Sequence, residues 1–343
     1  MLGYSLTIAA ISIVLCFILS NSVMNELLVI WCILASLTLL LMWSRYSELL
    51  YIFLFVPFML IIGFAIARNE QAPLETKLKF FDGFVMGGHR GSPESAPENS
   101  LAALKAAQYE GCQLVEFDVQ LTSDGIPIIL HDDNTYRTTG IKREVSSSVL
   151  SEIAGLPLLT VNGINDTIPT LDDVITFCMR NNLKMIFDIK GMNDLLVREL
   201  ARIIQDKNLY TSAIISSFSP AVPYFVKKAD PNILTGFTNR RALYGFLTED
   251  GSVDRGVWWN QWFLELMDDF LLLVLRSFLL PDFLGVDMLL LNHRDISHSI
   301  VTESAKRGMQ VVAWTVNDKY EMNYMSKVLK IPFLTDIPKL FEG

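Results

Sequence analysis

The sequence predicts an α/β fold, namely a TIM (β/α)8-type barrel preceded by N-terminal transmembrane helices. From residue 83 onward, helix and strand patterns alternate at the spacing of a parallel sheet wrapped by helices. The stretch 83–343 has the length of one such barrel, and polar residues follow several of its strand patterns. By contrast, the first 66 residues carry only three charges, Glu26, Arg45 and Glu48.

This charge-poor region contains three apolar stretches, residues 2–19, 27–43 and 49–67. Each is long enough to span, or nearly span, a bilayer. The first stretch lacks the basic start and the clear small-residue cleavage site of a signal peptide, so we expect it to be retained. We predict two or three spans within residues 1–68, two if the middle stretch is re-entrant, and then a linker at residues 69–82.

The rest of the chain, residues 83–343, contains the elements of a barrel in order. Helical patterns cover residues 99–110, 193–206 and 297–307, and Thr170 is placed to cap the helix LDDVITFCMRN. Strand patterns are LVEFDVQL, IPIILHD, KMIFDIK, AIISSF, ILTGF, VVAWTV and IPFLTD.

The four cysteines do not indicate a disulfide framework or a zinc site. No pair has metal-site spacing. Cys16 and Cys32 lie in the apolar N-terminal stretches, and Cys112 and Cys178 lie on separate predicted helices. We expect the latter two to be buried free thiols.

An acidic pair, Glu116 and Asp118, alternates with apolar residues in LVEFDVQL. Residues two apart on a strand face the same way, so both carboxylates point to one side. They could be solvent-facing residues of an edge strand. The strand is apolar enough to be central, however, and buried carboxylates repel unless a cation or a shared proton holds them. Oxygen ligands suit Mg²⁺ or Ca²⁺.

The turn signal TSDG joins this strand to IPIILHD, which ends at His131. If the turn closes a hairpin around Ser123 and Asp124, Asp118 lies opposite Ile129 and Glu116 opposite His131. This link is too short for a parallel crossover, so we expect the strict alternation of strand and helix to break here.

A second histidine, His89, follows the apolar run FVM within the motif GHRG. A lone His beside an Arg is usually a surface pair. Here a second strand-end histidine and the acidic pair lie nearby in sequence, which favours a functional site. The neighbouring glycines match neither common nucleotide-binding pattern, so we expect them to let the backbone approach a ligand beside Arg90.

Asp188 and Lys190 lie two residues apart on KMIFDIK and therefore share a face. A structural salt bridge and a functional pair remain open from these residues alone. Trp314, at the end of VVAWTV, is either a core residue or an apolar wall for a substrate.

A hydrophobic insertion of about residues 241–286 interrupts the barrel pattern. Its apolar part is broken by Glu265, Asp268, Asp269, Arg276 and Pro281, and a span here would put the last strands on the wrong side of the membrane. Trp258, Trp259 and Trp262 precede the apolar part, which begins at residue 263, and aromatic residues favour the membrane interface. We therefore expect the insertion to lie on the bilayer beside the barrel mouth. Burial against the barrel is the alternative.

At these motifs the sequence resembles the glycerophosphodiester phosphodiesterase family. The family pattern stands here as HRG at 89–91, PENS at 97–100, E-x-D at 116–118 and DG-x-P-x-x-x-HD at 124–132. The similarity continues through FDIKG, SSF and AWTVND and so covers nearly everything after residue 80. The SPES insertion, the FDIKG form and the hydrophobic insertion look most like the membrane-anchored animal branch, of the glycerophosphoinositol and lysophospholipase D type.

The resemblance implies roles for particular residues. It implies that His89 and His131 are the catalytic pair, and that a glycerol hydroxyl of the substrate can attack first to give a cyclic phosphate. Glu116, Asp118 and Asp188 would hold one divalent cation, Mg²⁺ or Ca²⁺, and Arg90, Lys190 and Trp314 would bind the phosphate and the substrate. The family usually has Glu at the position of Asp188, whereas the membrane-anchored branch has Asp.

We therefore expect a metal-dependent enzyme that hydrolyses glycerophosphodiesters, such as glycerophosphoinositol, to glycerol 3-phosphate and an alcohol. One alternative is a lysophospholipase D that acts on lysophospholipids or N-acyl glycerophosphoethanolamine. Another is a catalytically idle, lipid-binding membrane protein. We expect a lipid bilayer as a partner and no nucleic acid; the sequence names no protein partner.

Only a few residues indicate on which side of the membrane the barrel lies. Arg68, Lys77 and Lys79 follow the last apolar stretch, which by the positive-inside rule favours a cytosolic barrel. The sequon at Asn165, a candidate glycosylation site, favours the opposite side. The membrane-anchored branch that the sequence resembles has its catalytic domain outside the cytosol. We therefore expect an integral protein of the plasma membrane or an endomembrane, with a lumenal or extracellular barrel.

Overall fold

The computed structural model describes residues 47–246, 253, 255–257 and 260–342, with side chains from residue 55 onward. These residues form two compact units. The larger unit comprises Asn69–Arg276 and the described residues from Leu284 onward. The smaller unit comprises Ser277–Phe283 and the described residues up to Arg68.

All of the strands named here belong to the larger unit. In chain order they are β1 (Met86–His89), β2 (Leu114–Leu121), β3 (Pro127–Ile129), β4 (Lys184–Asp188), β5 (Ala213–Ser217), β6 (Leu234–Asn239), β7 (Met288–Asn292), β8 (Gln310–Trp314) and β9 (Phe333–Thr335). The helices are α1 (Ser47–Ala67), α2 (Leu74–Phe81), α3 (Leu101–Tyr109), α4 (Tyr136–Thr139), α5 (Leu150–Ile153), α6 (Leu171–Arg180), α7 (Asp194–Asp206), α8 (Ala221–Ala229), α9 (Gln261–Arg276), α10 (Leu279–Leu284), α11 (His298–Lys306) and α12 (Lys319–Asn323).

Eight of these strands, all except β3, close into a parallel barrel in the order β1-β2-β4-β5-β6-β7-β8-β9. The ring closes because β1 pairs in parallel with both β2 and β9. Along each strand alternate residues face inward, and Leu114, Ile186 and Ile214 of neighbouring strands meet in one buried cluster. The predicted TIM-type barrel is confirmed.

Polar side chains fix where several barrel helices begin. The hydroxyl of Ser100 accepts a hydrogen bond from the N–H of Ala103 (3.1 Å), at the start of α3. Thr170 and Asp173 form a reciprocal capping box at the start of α6, as the sequence predicts for Thr170. Such caps satisfy N–H groups that have no partner inside the helix.

The hairpin of β2 and β3 interrupts the alternation of strand and helix, as predicted, but its register differs from the expected one. Val119, not Asp118, lies opposite Ile129. Five residues, 122–126, separate the two strands. The N–H of Thr122 donates to the carbonyl of Ile126 (3.1 Å), so the turn itself contains three residues rather than two, and Gly125 supplies the left-handed conformation (φ 80°) that such a turn needs. The expected pairing of Glu116 with His131 was therefore wrong.

The stretch expected to be a linker contains the helix α2. Phe80 of this helix is fully buried, and it joins Ala72 and Phe84 in the central cluster of the barrel. The Nζ atom of Lys77 donates a hydrogen bond to the carbonyl of Gly308 (2.9 Å). Because the cluster also contains residues from the beginnings of the strands, α2 covers the amino end of the barrel and leaves the opposite end open.

The predicted membrane spans lie mainly outside the described residues. This holds for residues 2–19 and 27–43, whereas the third stretch, residues 49–67, falls within α1. Within the part of the chain that the structure describes, no helix is both long and apolar enough to cross a membrane. The insertion after β6 contains α9 and α10; Trp262 lies on α9, and Trp258 and Trp259 lie outside the described residues.

Candidate active site

The carboxyl ends of the barrel strands bring the predicted site residues together. His89 is the last residue of β1, and Asp188 is the last residue of β4. In the strand register Glu116 is paired with His89, and Asp118 is paired with Asp188. Residues that were distant in sequence thus meet at the open end of the barrel, where barrels of this type carry their active sites.

Three buried carboxylates, Glu116, Asp118 and Asp188, form the centre of the site. One oxygen from each lies within 4.8 Å of the other two. Burial, opposed by His89 and reinforced by Asp118, raises the pKa of Glu116 to about 7. Burial and the charges of Glu116 and Asp118 raise the pKa of Asp188 well above its usual range. The predicted convergence of these three side chains is confirmed.

These carboxylates fit a divalent cation. Hard cations such as Mg²⁺ and Ca²⁺ bind oxygen ligands at about 2.0–2.6 Å, so one ion can touch three oxygens spaced as these are. The Oδ1 atom of Asp188 is buried and lacks a hydrogen-bond partner among the described residues. A cation would satisfy that oxygen and offset the repulsion of the three charges.

His89 is held by a carboxylate that sequence reasoning did not single out. Its Nδ1 atom lies 2.7 Å from Oδ1 of Asp336, just beyond β9, and its Nε2 atom lies 4.0 Å from Oε2 of Glu116. Burial disfavours the imidazolium, but the hydrogen bond to Asp336 and the charges of both carboxylates raise the pKa of His89. Asn317 in turn donates to Asp336 (2.7 Å).

His131 has a similar arrangement with the adjacent residue. Its Nδ1 atom lies 2.6 Å from Oδ1 of Asp132. Burial lowers the pKa of His131, and the positive charges of Arg90 and Lys190 add to this effect, against the raising influence of Asp118 and Asp132. In both histidines the Nδ1 atom is engaged by a carboxylate, which leaves Nε2 for proton transfer.

Arg90 lies among these acidic groups. Its backbone N–H donates to Glu116 (2.9 Å), and its guanidinium contacts Glu98 (3.1 Å) and Asp118 (3.5 Å). The Nε atom is buried and has no hydrogen-bond partner within the described part of the chain. A guanidinium held in this way can bind a phosphate through two parallel hydrogen bonds.

A guanidinium that sequence reasoning missed, that of Arg137 on α4, joins the His131 side of the site to the Arg90 side. It donates to both oxygens of Asp132 (2.7 and 3.1 Å) and to both oxygens of Glu98 (2.7 and 2.8 Å). Asp132 holds His131 and Glu98 holds Arg90. Through these two carboxylates, Arg137 positions both His131 and Arg90.

Asn99 was also missed as a site residue, although it lies in the PENS motif. Its side chain donates to Oδ2 of Asp118 (2.8 Å) and accepts from the N–H of Asp118 (3.2 Å). It has a left-handed backbone (φ 57°), which Asn adopts more readily than most residues. That combination fixes the orientation of one predicted cation ligand.

Three other residues predicted from the sequence, Lys190, Trp314 and Asn165, lie outside the carboxylate cluster. Lys190 is exposed just beyond Asp188; loss of water and the charge of Arg90 lower its pKa, against the influence of Asp118. Trp314 ends β8 and contacts the ring of Phe218 edge-on (5.4 Å between centroids). Asn165 is exposed in the connection between β3 and α6, outside the cluster of site residues.

Comparison with known proteins agrees with this arrangement. Residues 89–340 match the family described as the glycerophosphoryl diester phosphodiesterase family. The chain belongs to this family. Over 254 residues, it is 31% identical to glycerophosphodiester phosphodiesterase 1 of Mus musculus, covering 72% of this chain and 76% of that protein. The chain is thus a glycerophosphodiester phosphodiesterase, and it is similar to animal members of the family, as the resemblance implies.

Two further comparisons concern substrate and fold. The chain is 24% identical to the lysophospholipase D GDPD3 of Homo sapiens over 273 residues, covering 74% of this chain and 82% of that protein. An Oleispira antarctica phosphodiesterase, solved in complex with the product sn-glycerol-3-phosphate, has a TM-score of 0.56 and 22% identity. That alignment covers 76% of this chain and 96% of the other, and it shows that the two share the barrel fold.

Proposed function

We propose that this phosphodiesterase hydrolyses glycerophosphodiesters such as glycerophosphoinositol in a cation-dependent reaction, releasing glycerol 3-phosphate and the alcohol. One observation carries the proposal. Three buried carboxylates, an arginine and two carboxylate-held histidines converge at the open end of the barrel. That set can neutralise a phosphodiester, activate a hydroxyl and protonate a leaving oxygen.

The side chains divide this chemistry between them. Arg90 binds two phosphate oxygens through its guanidinium, and Lys190 adds a point charge at the mouth. One histidine takes the proton from the attacking hydroxyl at its Nε2 atom. The other gives a proton to the alcohol oxygen as the bond between phosphorus and that oxygen breaks. When the attacking hydroxyl is that of the substrate glycerol, this step gives a cyclic phosphate, and water then opens the ring to give glycerol 3-phosphate. Each positioned proton transfer contributes about 10²–10⁴ in rate.

Glu116, Asp118 and Asp188 would hold the cation, Mg²⁺ or Ca²⁺. When bound, it would polarise a phosphoryl oxygen as a Lewis acid. Asn99 supports this role, because its side chain donates to the carboxylate of Asp118 and accepts from the backbone N–H of the same residue, and the pair of bonds fixes the direction of that carboxylate.

A second candidate keeps the reaction and changes the substrate to a lysophospholipid or an N-acyl glycerophosphoethanolamine. The similarity to the human lysophospholipase D supports it, and so does an exposed apolar face on α9, described below. The two substrate classes differ in one requirement, since a lipid must leave a bilayer or micelle to reach the barrel mouth whereas a water-soluble diester does not.

We also propose that the enzyme is an integral membrane protein with its barrel in the lumen or outside the cell. The apolar character of the first 66 residues supports the anchor. The exposed sequon at Asn165 supports the orientation.

One assay tests the proposal. The purified full chain is incubated with glycerophosphoinositol, glycerophosphocholine and lysophosphatidylcholine, each with EDTA and then with added Mg²⁺ or Ca²⁺. We expect turnover to disappear in EDTA and return with the cation, and His89→Ala and His131→Ala each to lower kcat by about 10²–10⁴. Full activity after exhaustive chelation would contradict cation dependence, and release of inositol phosphate would contradict the proposed bond cleavage.

A further inference from the structure

The helix α9 is amphipathic, and its polar side faces its own domain. Asp268 accepts hydrogen bonds from the backbone N–H groups of Tyr244 (2.8 Å) and Gly245 (2.7 Å). Gln261 donates to the carbonyl of Gly245 (2.9 Å) and accepts from the N–H of Gly256 (3.0 Å). The polar side chains of the helix thus satisfy the loop that follows β6.

The opposite side of α9 exposes apolar side chains. Leu273 is 65% exposed and Phe270 is 56% exposed. Surface helices of soluble proteins normally turn this side toward the core, and a contiguous exposed apolar patch marks an interaction surface. We name this surface the α9 apolar face, consisting of Trp262, Phe263, Leu266, Met267, Phe270 and Leu273.

The composition of the α9 apolar face fits a lipid surface. Trp, Phe and Leu on one side of a helix are typical of helices that lie in the membrane interface. The same chain carries the three apolar N-terminal stretches, so a bilayer would be near. A face of this kind can be seated in lipid without the matching groove that a protein partner would need.

The charged residues of α9 indicate which lipid headgroups the α9 apolar face would meet. Glu265 and Asp269 are exposed on α9, which has one basic residue, Arg276, at its end. Carboxylates at a membrane surface are attracted to the ammonium groups of choline and ethanolamine and repelled by anionic headgroups. We propose that the α9 apolar face docks on a zwitterionic lipid surface.

Docking there would place lipid beside the mouth of the barrel. The loop held by Asp268 continues directly from β6, whose last residue, Asn239, lies at the carboxyl end of the strand. Arg241 of this loop is bound to Asp295, which follows β7, by two contacts (2.7 and 3.0 Å). The inference rests on the proposed function in one respect: a substrate with an acyl chain would enter from the docked lipid.

Photo-crosslinking tests the docking directly. The full chain, with p-benzoylphenylalanine in place of Phe270, is reconstituted into phosphatidylcholine vesicles and irradiated. We expect lipid adducts by mass spectrometry, and none when the same group replaces Tyr109, which is 93% exposed on α3. Adducts to residues 1–46, adducts to a second copy of the chain, or no adducts would each overturn the proposal. An equal yield in phosphatidylglycerol vesicles would overturn the preference for zwitterionic lipid.

Turnover supplies an independent measurement. Phe270→Asp with Leu273→Asp should lower kcat/KM for lysophosphatidylcholine in vesicles at least about tenfold, because charged groups are costly to insert into lipid, and leave glycerophosphoinositol unaffected. The control, Tyr109→Asp with Leu195→Asp, alters exposed residues on α3 and α7 and should change neither. Equal losses for both substrates would overturn the proposal. If the unmodified chain hydrolyses neither substrate, the proposed function fails, while lipid adducts still report docking.

Discussion

At the scale of single residues, the surroundings of His89 and His131 separate the protonation behaviour of two chemically identical side chains. Asp336 and Glu116 raise the pKa of His89, whereas burial, Arg90 and Lys190 lower the pKa of His131. A raised pKa favours the charged form, which can donate a proton, and a lowered pKa favours the neutral form, which can accept one. We therefore expect His131 to act as the base and His89 as the acid.

This assignment predicts how the pH profile responds to Asp336→Asn. kcat/KM should rise as the pH rises through the pKa of His131, which must be neutral, and fall through the pKa of His89, which must be charged. Asparagine carries no charge, so it lowers the pKa of His89. The alkaline limb should move to lower pH, on the order of one pH unit, while the acid limb stays in place. The measurement is kcat/KM against pH at a saturating cation concentration.

The matched variant is Asp132→Asn, which removes the carboxylate beside His131. It should move the acid limb to lower pH and leave the alkaline limb in place, because the pKa of His131 falls further without its partner. The opposite pattern, with Asp336→Asn moving the acid limb, would show that His89 has the lower pKa of the two histidines, and the assignment would lose its basis.

Arg137 gives a second prediction at this scale. Arg137→Ala should lower kcat by up to about 100-fold, since small displacements of reacting groups have effects of that size. Arg137→Lys should restore activity only in part, because a lysine cannot bind Asp132 and Glu98 with two parallel hydrogen bonds each. Added methylguanidine should restore activity to Arg137→Ala, which loss of folding alone would not allow.

The control for Arg137 is Arg198→Ala, on the exposed side of α7. Arg198 forms an ion pair with Asp194 (2.7 Å), and both of these side chains are more than half exposed. We expect no change in kcat, since exposed pairs of this kind contribute little. An Arg137→Ala variant with unchanged kcat would show that Asp132 and Glu98 position His131 and Arg90 without Arg137.

At the scale of elements, the close packing of β1 against α3 determines where Arg90 lies. A Cβ atom added at Gly88 would lie 2.2 Å from the carbonyl oxygen of Gly91 and 2.9 Å from Cβ of Ala107. Gly91 itself has a left-handed backbone (φ 86°) that favours glycine. These glycines allow the chain to turn sharply after β1 and bring Arg90 back over β2.

We therefore expect Gly88→Ala to destabilise the protein by about 1–3 kcal/mol, the usual cost of overfilling a packed region. Thermal or denaturant unfolding of the purified chain measures it. Gly191→Ala is the control, because no described atom lies within 4 Å of the Cβ that it would add. An unchanged unfolding midpoint for Gly88→Ala would mean that α3 can move away from β1 without a loss of stability.

The pairing of β2 with β4 predicts a pH-dependent effect of the cation on stability. Without a cation, Glu116 has a pKa of about 7 in the folded state against an ordinary value of 4.5. The folded state thus holds a proton that the unfolded state releases, and this stabilisation is lost as pH rises from 4.5 to about 7. A bound cation replaces the proton. Mg²⁺ should therefore raise Tm more at about pH 8 than at about pH 5.5.

Asp188→Asn should reduce that Mg²⁺-induced shift in Tm, since it removes one of the three converging carboxylates. Glu94→Gln is the comparison, because Glu94 is an exposed carboxylate between β1 and α3 and is not one of the three. An equal shift in both variants, at both pH values, would place the cation elsewhere.

Whether a site residue can be predicted from the sequence depends on whether its role follows from neighbouring residues or from contacts made only in the folded barrel. Glu116, Asp118 and His89 were identified because alternation along a strand and the end of a strand are local features of the sequence. Asp188 was assigned as a cation ligand only through the family resemblance. Arg137 and Asp336 were not, because each acts through a contact that only the folded barrel creates. Asp336 meets His89 across the closure of β9 on β1.

The hairpin register shows a related limit. The sequence TSDG allows both a two-residue and a three-residue loop. The choice depends on the hydrogen bond that Thr122 makes with Ile126 (3.1 Å) and on the left-handed Gly125. A difference of one residue reverses the face of every side chain on one strand, so a correct prediction of a hairpin still gave the wrong partner for Glu116.

At the scale of the whole molecule, the site belongs to one of the two compact units. The larger unit contains the complete set of site residues, from His89 on β1 to Asp336 beyond β9. The barrel closes only when both ends of this unit are present, because β1 pairs with β9. Truncation within residues 86–336 would therefore remove the site as well as a strand.

The last prediction concerns the side of the membrane on which the barrel lies. Asn165 is exposed in the segment between α5 and α6, and its Oδ1 atom accepts a hydrogen bond from the hydroxyl of Thr160 (2.5 Å). If the barrel is lumenal, a C-terminal tag on the full chain should resist external protease in sealed microsomes and become sensitive once detergent is added.

A glycan, where present, should be lost in Asn165→Gln but retained in Asn162→Gln, because Asn162 is not part of a sequon. An unused sequon leaves the protease result unaffected, so digestion of the tag in intact microsomes would place the barrel in the cytosol. That result would make the positive-inside signal of Arg68, Lys77 and Lys79 the decisive one.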